Sequence, residues 1–487
     1  MQSTLGHKSK AAGKNAWVEA VRFSPDGRFV AWGVHGGASL VEVANTDSKT
    51  FKLRHEASID AGLTQGLVQL DWSADSALLS VVSEAHELVF VDVNGKQKAE
   101  PSKVSGVQWA TRSCKFGHDV QGIWPGTGYT AVNGAARSNS GLVLATAEEG
   151  GMVKVFRYPC TVEGAAAKES RGHGSHVTRV VFSAQDEYVI SLGGSDQTVL
   201  VWSTDFGAAG NNVAVEDDSA AAVDQGLAAE IEENLTDESR AEKARWKAER
   251  RDAAQRAAKQ ALGEKRGGGM DAGPLKGADE EADEFLNARP WRAQIKAPSG
   301  YTKPPKNQTK PPHIRAAIDW VYGYKGYKTR NNVKYLVDGS VAYHVAGLGV
   351  IYDPATHTQR HFDRHGEEIT AIAYSSDRRT IATGDLGKRP RIIVWDALSM
   401  QVIQEFRGQL QHGVKSLAFS PSGKLLAAVD SSEDNRVAVF NVPQGMCVAV
   451  AKGDRSQIQS GLVDINFGSD ALLATAGVGH LNFWSVG

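Results

Sequence analysis

A chain of 487 residues is too long for one ordinary core and implies more than one packed unit, and its 51 glycines suit a fold rich in tight turns. A formal net charge of -2, with 41% hydrophobic and 23% charged residues, gives no global field that selects nucleic acid or membrane. Cys114, Cys160 and Cys447 make no CxxC pair, so no cysteine metal site is expected and a reduced, intracellular setting is. No apolar run approaches the roughly 18 residues of a membrane-spanning helix.

Residues 1–14 read as a polar tail without the apolar stretch of a signal peptide. A repeat then begins. A short apolar strand ends in an aromatic and a serine, turns, and returns as a second apolar strand. The first copies are VEAVRFSPDGRFVAWG from Val18, VQLDWSADSALLSVV from Val68 and VTRVVFSAQDEYVISLGG from Val177. Third strands follow, such as VLVWS at Val199, which makes a sheet of about four strands per unit. One such sheet cannot bury both of its faces, so the units must stack as β-propeller blades.

After Thr204 the composition changes. Residues 216–238 carry nine acidic and no basic side chains, and residues 240–266 carry ten basic against four acidic ones. The second stretch predicts a helix over about 240–262, capped by Ser239 and Glu242 and stopped by Gly263. The glycines and proline pairs up to Pro312 predict extended linker.

Beyond the linker the repeat resumes with ITAIAYSSDRRTIATG from Ile369, VKSLAFSPSGKLLAAV from Val414 and VDINFGSDALLATAG from Val463. Successive copies lie about 45 to 49 residues apart, close to the WD40 period. The expected fold is therefore all-β. It has WD40-type blades in two groups of about four, over 15–204 and 313–487, joined by a helical and extended linker at 205–312. His173, Ser191, Asp196 and Trp202 fit the polar network of a WD40 blade, and His365, Thr383 and Trp395 fit it in a later one, with no Asp at the Leu386-Gly387 turn. A serine, a histidine and an aspartate could suggest a hydrolase, but no G-x-S-x-G elbow accompanies them. They read as structural groups that satisfy one another inside the blade. No catalytic residue, metal ligand or cofactor is expected.

Longer motifs carry a family resemblance. WATRSCKFGHDVQGIWPG from Trp109, KVFRYPC from Lys154 and IDWVYGYKGYKTRNNVKYLVDGSVAYHVAGLGVIYDPATHTQRHF from Ile318 fall in order. They resemble the closing propeller and the HELP motif of the echinoderm microtubule-associated protein-like (EMAP-like) family. In that family HELP opens a tandem propeller, so the order here resembles the junction between two units of a long, multi-unit member. His118 stands where the family pattern has Trp.

The resemblance implies a non-catalytic microtubule-associated scaffold, with tubulin and other axonemal or cytoskeletal proteins as partners, in the cytoplasm, cytoskeleton and ciliary or flagellar axoneme. Between Tyr301 and Lys334 lie Lys303, Lys306, Lys310, Arg315, Lys325, Lys328, Arg330 and Lys334 against Asp319 alone, a net charge of +7 (eight minus one) suited to an acidic filament surface. Tyr322, Tyr324 and Tyr327 interleave with these cations and are expected to pack the HELP hairpin against the propeller wall rather than to anchor a partner. An adaptor recruiting protein partners without a cytoskeletal role is the alternative, and neither membrane nor nucleic acid is the expected target.

Overall fold

The structure, a computed structural model, describes residues 17–35, 40–46, 53–124, 132–206, 290–302, 310–324, 332–453, 462–477 and 480–486. The acidic and basic runs, and the helix expected over about 240–262, lie outside the described residues.

The regular structure of the described residues is almost all strand, arranged as eight antiparallel sheets. Blade 1 holds β1 (Trp17–Phe23), β2 (Phe29–His35), β3 (Leu40–Thr46) and β4 (Leu53–Asp60). Blade 2 holds β5 (Leu67–Trp72), β6 (Leu78–Ser83), β7 (Leu88–Asp92) and β8 (Gln97–Ala99). Blade 3 holds β9 (Val132–Arg137), β10 (Val143–Glu148), β11 (Met152–Arg157) and β12 (Lys168–Arg171). Blade 4 holds β13 (Val177–Phe182), β14 (Tyr188–Gly193), β15 (Val199–Thr204) and β16 (Ala316–Tyr322). Blade 5 holds β17 (Val333–Tyr335), β18 (Val341–Val345), β19 (Leu348–Asp353) and β20 (Thr358–Phe362). Blade 6 holds β21 (Ile369–Tyr374), β22 (Thr380–Asp385), β23 (Arg391–Asp396) and β24 (Val402–Arg407). Blade 7 holds β25 (Val414–Phe419), β26 (Leu425–Asp430), β27 (Val437–Asn441) and β28 (Met446–Ala451). Blade 8 has three described strands, β29 (Leu462–Ser469), β30 (Leu472–Gly477) and β31 (His480–Ser485).

Each first hairpin follows from its sequence. In SPDG, Gly27 sits at φ 70° and Ser24 Oγ donates to Asp26 at 2.6 Å. A positive φ of this kind is what glycine tolerates without strain. Successive side chains point to opposite faces and both faces pack on neighbouring blades, so β6, β10 and β26 are buried along nearly their whole length and the cores lie between blades rather than within them. Leu67, Leu70 and Trp72 of blade 2 pack with Val41 and Val43 of blade 1. Leu336 and Phe362 of blade 5 pack with Ile381 and Trp395 of blade 6, where the Phe362 and Trp395 rings stack 4.3 Å apart. Burying such side chains stabilises the stack by about 1.5–3 kcal/mol each.

Blade 4 is assembled from two distant pieces of chain. Its first three strands precede the linker, and β16 returns after it to pair antiparallel with β15, from Val199 opposite Tyr322 to Thr204 opposite Ala316. The HELP stretch therefore closes a blade begun more than a hundred residues earlier, and one apolar cluster joins blades 3, 4 and 5 through Val155, Leu200, Ile314, Ala316 and Val350.

The two end blades differ from the inner ones. Phe23 of blade 1 and Phe483 of blade 8 are 65% and 67% exposed. Their counterparts inside the stack, Trp72 and Val439, are buried against an adjoining blade.

Candidate partner-binding surface

The WD40-type polar network lies in the interior of blade 4. His173 Nδ1 meets Asp196 Oδ2 at 3.1 Å, its Nε2 meets Ser191 Oγ at 2.7 Å, and Trp202 Nε1 donates to the same serine oxygen at 2.8 Å. With the proton on Nδ1, every polar atom of this relay has a partner. Burial opposes the Asp196 carboxylate, but the His173 contact and the backbone N–H groups of Thr198 and Gly174 outweigh it and hold the group below the usual carboxylate range. The serine is wholly buried and already accepts from the tryptophan, so the arrangement fixes blade geometry.

Blade 6 repeats the relay with one correction to the sequence reading. His365 Nε2 meets Thr383 Oγ1 at 2.7 Å and Trp395 Nε1 donates to that hydroxyl at 3.1 Å, but the acid is present as well. It is Asp385, whose Oδ2 lies 2.9 Å from His365 Nδ1. Asp385 is the last residue of β22, the position held by Gly193 in blade 4. A Cβ on Gly193 would fall 1.7 Å from Asp196 Oδ1. The two blades thus fill one space from two different chain positions, so the turn alone does not reveal the acid.

A second cluster locks the long motifs of the first half together. Arg112 is buried and pairs with Asp119, which also accepts from the Tyr158 hydroxyl. Cys160 N donates to Asp119 O at 2.7 Å, and Gly122 N donates to Cys160 O at 2.7 Å. A Cβ on Gly122 would meet Cys160 Sγ and Val162 O at 2.5 Å, so the close approach requires glycine. Burial pushes the Asp119 carboxyl up, but the Arg112 charge and the two hydrogen-bonding side chains hold it below its usual range. Burial, reinforced by Asp119, pushes Tyr158 and Cys160 up to about 12.

The last part of the linker, residues 290–302, docks on this cluster instead of running free. Trp291 is buried and stacks on Phe116 with ring centroids 4.2 Å apart, Arg292 pairs with Glu163 at 2.8 Å, and the Tyr301 hydroxyl donates to Thr161 at 2.9 Å. The path then crosses blade 3, where Arg157 Nε donates to Lys310 O at 3.1 Å and Lys168 Nζ to His313 O at 3.1 Å, before β16 begins. The linker sequence up to Pro312 predicted extended chain. At its described end, residues 290–302 form a strap over blades 2 and 3.

Of the basic residues proposed from sequence, Lys310, Arg315 and Lys334 are described and exposed. Lys310 and Arg315 flank the entry to β16, whereas Lys334 lies in β17 of the next blade. Lys303, Lys306, Lys325, Lys328, Arg330 and Tyr327 lie outside the described residues. Tyr322 and Tyr324 are 57% and 54% exposed, which corrects the expectation that these rings are packed away. Tyr322 lies tilted beside Trp320 at 6.0 Å and Tyr324 edge-on to Tyr343 at 6.1 Å.

Residues 1–204 match the family described as the echinoderm microtubule-associated protein second beta-propeller, residues 311–350 match the HELP motif, and residues 356–396 and 400–441 match the WD domain, G-beta repeat. Both the first half of the chain and the stretch after the linker are thus similar to the EMAP-like family. It is 37% identical to echinoderm microtubule-associated protein-like 2 of Rattus norvegicus over 190 residues, 39% of this chain and 29% of that protein. It is 35% identical to the ciliary WD repeat-containing protein ctxp80 of Euplotoides octocarinatus over 189 residues, 38% of this chain and 25% of that one. The 77 kDa echinoderm microtubule-associated protein of Strongylocentrotus purpuratus is 35% identical over 187 residues, covering 38% and 27%. The chain spans less than a third of the length of these curated relatives. The EMAP-like motifs around Trp109 and Lys154 now have a physical account, since they are the two halves of the Arg112–Asp119–Tyr158 lock. At the departure from the EMAP-like pattern, His118 lies edge-on to Tyr301 of the strap at 4.5 Å.

Proposed function

We propose that the chain is a non-catalytic, microtubule-associated scaffold that meets an acidic filament surface along the outer edge of blade 4. The supporting observation is the exposure of Arg315, Tyr322 and Tyr324 on or beside β16, the outer strand with which the HELP stretch closes blade 4. Tyrosine beside arginine or lysine gives contact area and charge attraction together. The names of the relatives favour microtubules as the partner and cilia as one setting. The remaining cations of the stretch add to the same positive charge.

Co-sedimentation of the full chain with microtubules over a salt titration tests this reading. Pelleting at low ionic strength that declines as salt rises is expected, because exposed charges are screened within about 10 Å at 0.1 M salt. Failure to pellet at low ionic strength overturns it. A second reading, an adaptor without a cytoskeletal role, draws on the exposed apolar faces around Phe23 and Phe483. Pull-down partners that exclude tubulin would select it.

A further inference from the structure

A cavity of about 670 Å³, open along one side, lies between the Arg112 lock and the strap. The microtubule reading makes no use of it. We propose that this cavity binds a carboxylate side chain of an extended acidic peptide, with Arg112 as the anion partner and the aromatic wall receiving a neighbouring apolar side chain.

Arg112 is 3% exposed, and only part of its guanidinium is spoken for. One nitrogen, Nη2, binds Asp119, while Nε and Nη1 are buried with no hydrogen-bond partner. The Trp109 ring faces the guanidinium at 5.8 Å, a contact that attracts the charge without engaging its N–H donors. Buried donors left in this state are costly, and an incoming anion recovers that cost.

The charges of the cavity decide the class of anion. Arg112, Arg137 and Lys296 line it against Asp119, a surplus of two positive charges, three minus one. Arg137 already donates to Trp109 O at 3.0 Å and Ala110 O at 2.9 Å, so it contributes field more than free donors. A phosphate group, carrying about -1.5 to -2 charges, would be pressed against the Asp119 carboxylate. A singly charged carboxylate meets less repulsion and fits the ordinary geometry of an arginine pair. The remaining wall is apolar, with Trp109, Tyr158, Pro298 and Tyr301 facing the same space, and the volume falls within the range of about 300–1,000 Å³ that accommodates small ligands. An acidic residue next to an aliphatic or aromatic one matches both halves.

The test needs no microtubules, so its failure leaves the filament reading standing. Fluorescence anisotropy follows a fluorescein-labelled Glu-Glu-Leu-Glu-Glu peptide binding to the full chain, beside its Gln-Gln-Leu-Gln-Gln twin. Binding of the glutamate peptide alone is expected. Lys296→Glu, on the exposed rim of the cavity, should weaken it about fivefold, and Arg112→Met about tenfold or more, while the remote Lys388→Glu should leave it unchanged. Should Arg112→Met fail to fold, the Lys296 variant decides. Equal binding of both peptides, no effect of Lys296→Glu, or complete displacement by millimolar inorganic phosphate would each overturn the proposal.

Discussion

Removing the Trp291 side chain should release the strap while leaving the blades beneath it folded. Trp291 is 4% exposed, and its ring lies 4.2 Å from Phe116 and 5.3 Å from Trp124. A buried tryptophan removes about 150–250 Å² from water, which at about 25 cal/mol per Å² is roughly 4–6 kcal/mol, an upper value. Truncations of this kind cost about 3–5 kcal/mol when the site cannot collapse. The other anchors are weaker. The Arg292–Glu163 pair is half in solvent, and two hydroxyl hydrogen bonds, Ser105 to Ala297 O and Tyr301 to Thr161, are worth about 1 kcal/mol each. The tryptophan is therefore the main hold, and a strap that can lift locally will do so before the blades unfold. Hydrogen–deuterium exchange on Trp291→Ala should show the Ile295 and Tyr301 amides, which donate to Arg292 O and Pro298 O, opening roughly a hundred- to a thousandfold more often. Blades 6 and 7 should keep their protection. Unchanged exchange at residues 290–302 would refute the assignment of Trp291 as the anchor, and uniform loss across all blades would refute the strap as a separable element.

Ser191→Ala should lower stability by about 2–4 kcal/mol in chemical denaturation, because His173 Nε2 and Trp202 Nε1 both lose their partner in a sealed interior. Gly122→Ala should cost about 1–3 kcal/mol in the same assay, since its new methyl must displace Cys160 and the Val162 backbone. Acid should act through Asp119. Its carboxyl is held below the unfolded value of about 3.9, so the unfolded chain binds the proton first as pH falls, and the contribution is complete above about pH 4 and lost on further acidification. Asp119→Asn should flatten that part of the stability profile measured by thermal unfolding at stepped pH.

The blades were legible in the sequence because each must bury two apolar faces and turn sharply between its strands. The copy at Val414 shows this in full, with Phe419 buried, Ser420 N donating to Leu425 O at 2.9 Å, and Gly423 N donating to Ser420 O at 2.8 Å. What escaped the sequence depends on distance along the chain. That β16 belongs to the sheet of β15 is invisible to local periodicity, since the linker separates them. Trp291 is one large ring among polar and small neighbours, a pattern that reads as linker until Phe116 and Trp124 are brought beside it. Asp385 does not follow from a fixed chain position, because the physical requirement is only a carboxylate next to His365 Nδ1. The candidate rim was legible as a run of cations, but the exposure of Tyr322 and Tyr324 was not, because the same rings could equally have closed the HELP hairpin.

A cryo-electron map of microtubules decorated with the full chain tests the central claim most directly. The account predicts blade density touching the filament through the β16 edge that carries Arg315 and Tyr322, with the Trp291 strap free of the contact. Filaments without added density, or density joined to tubulin through another edge, would contradict it.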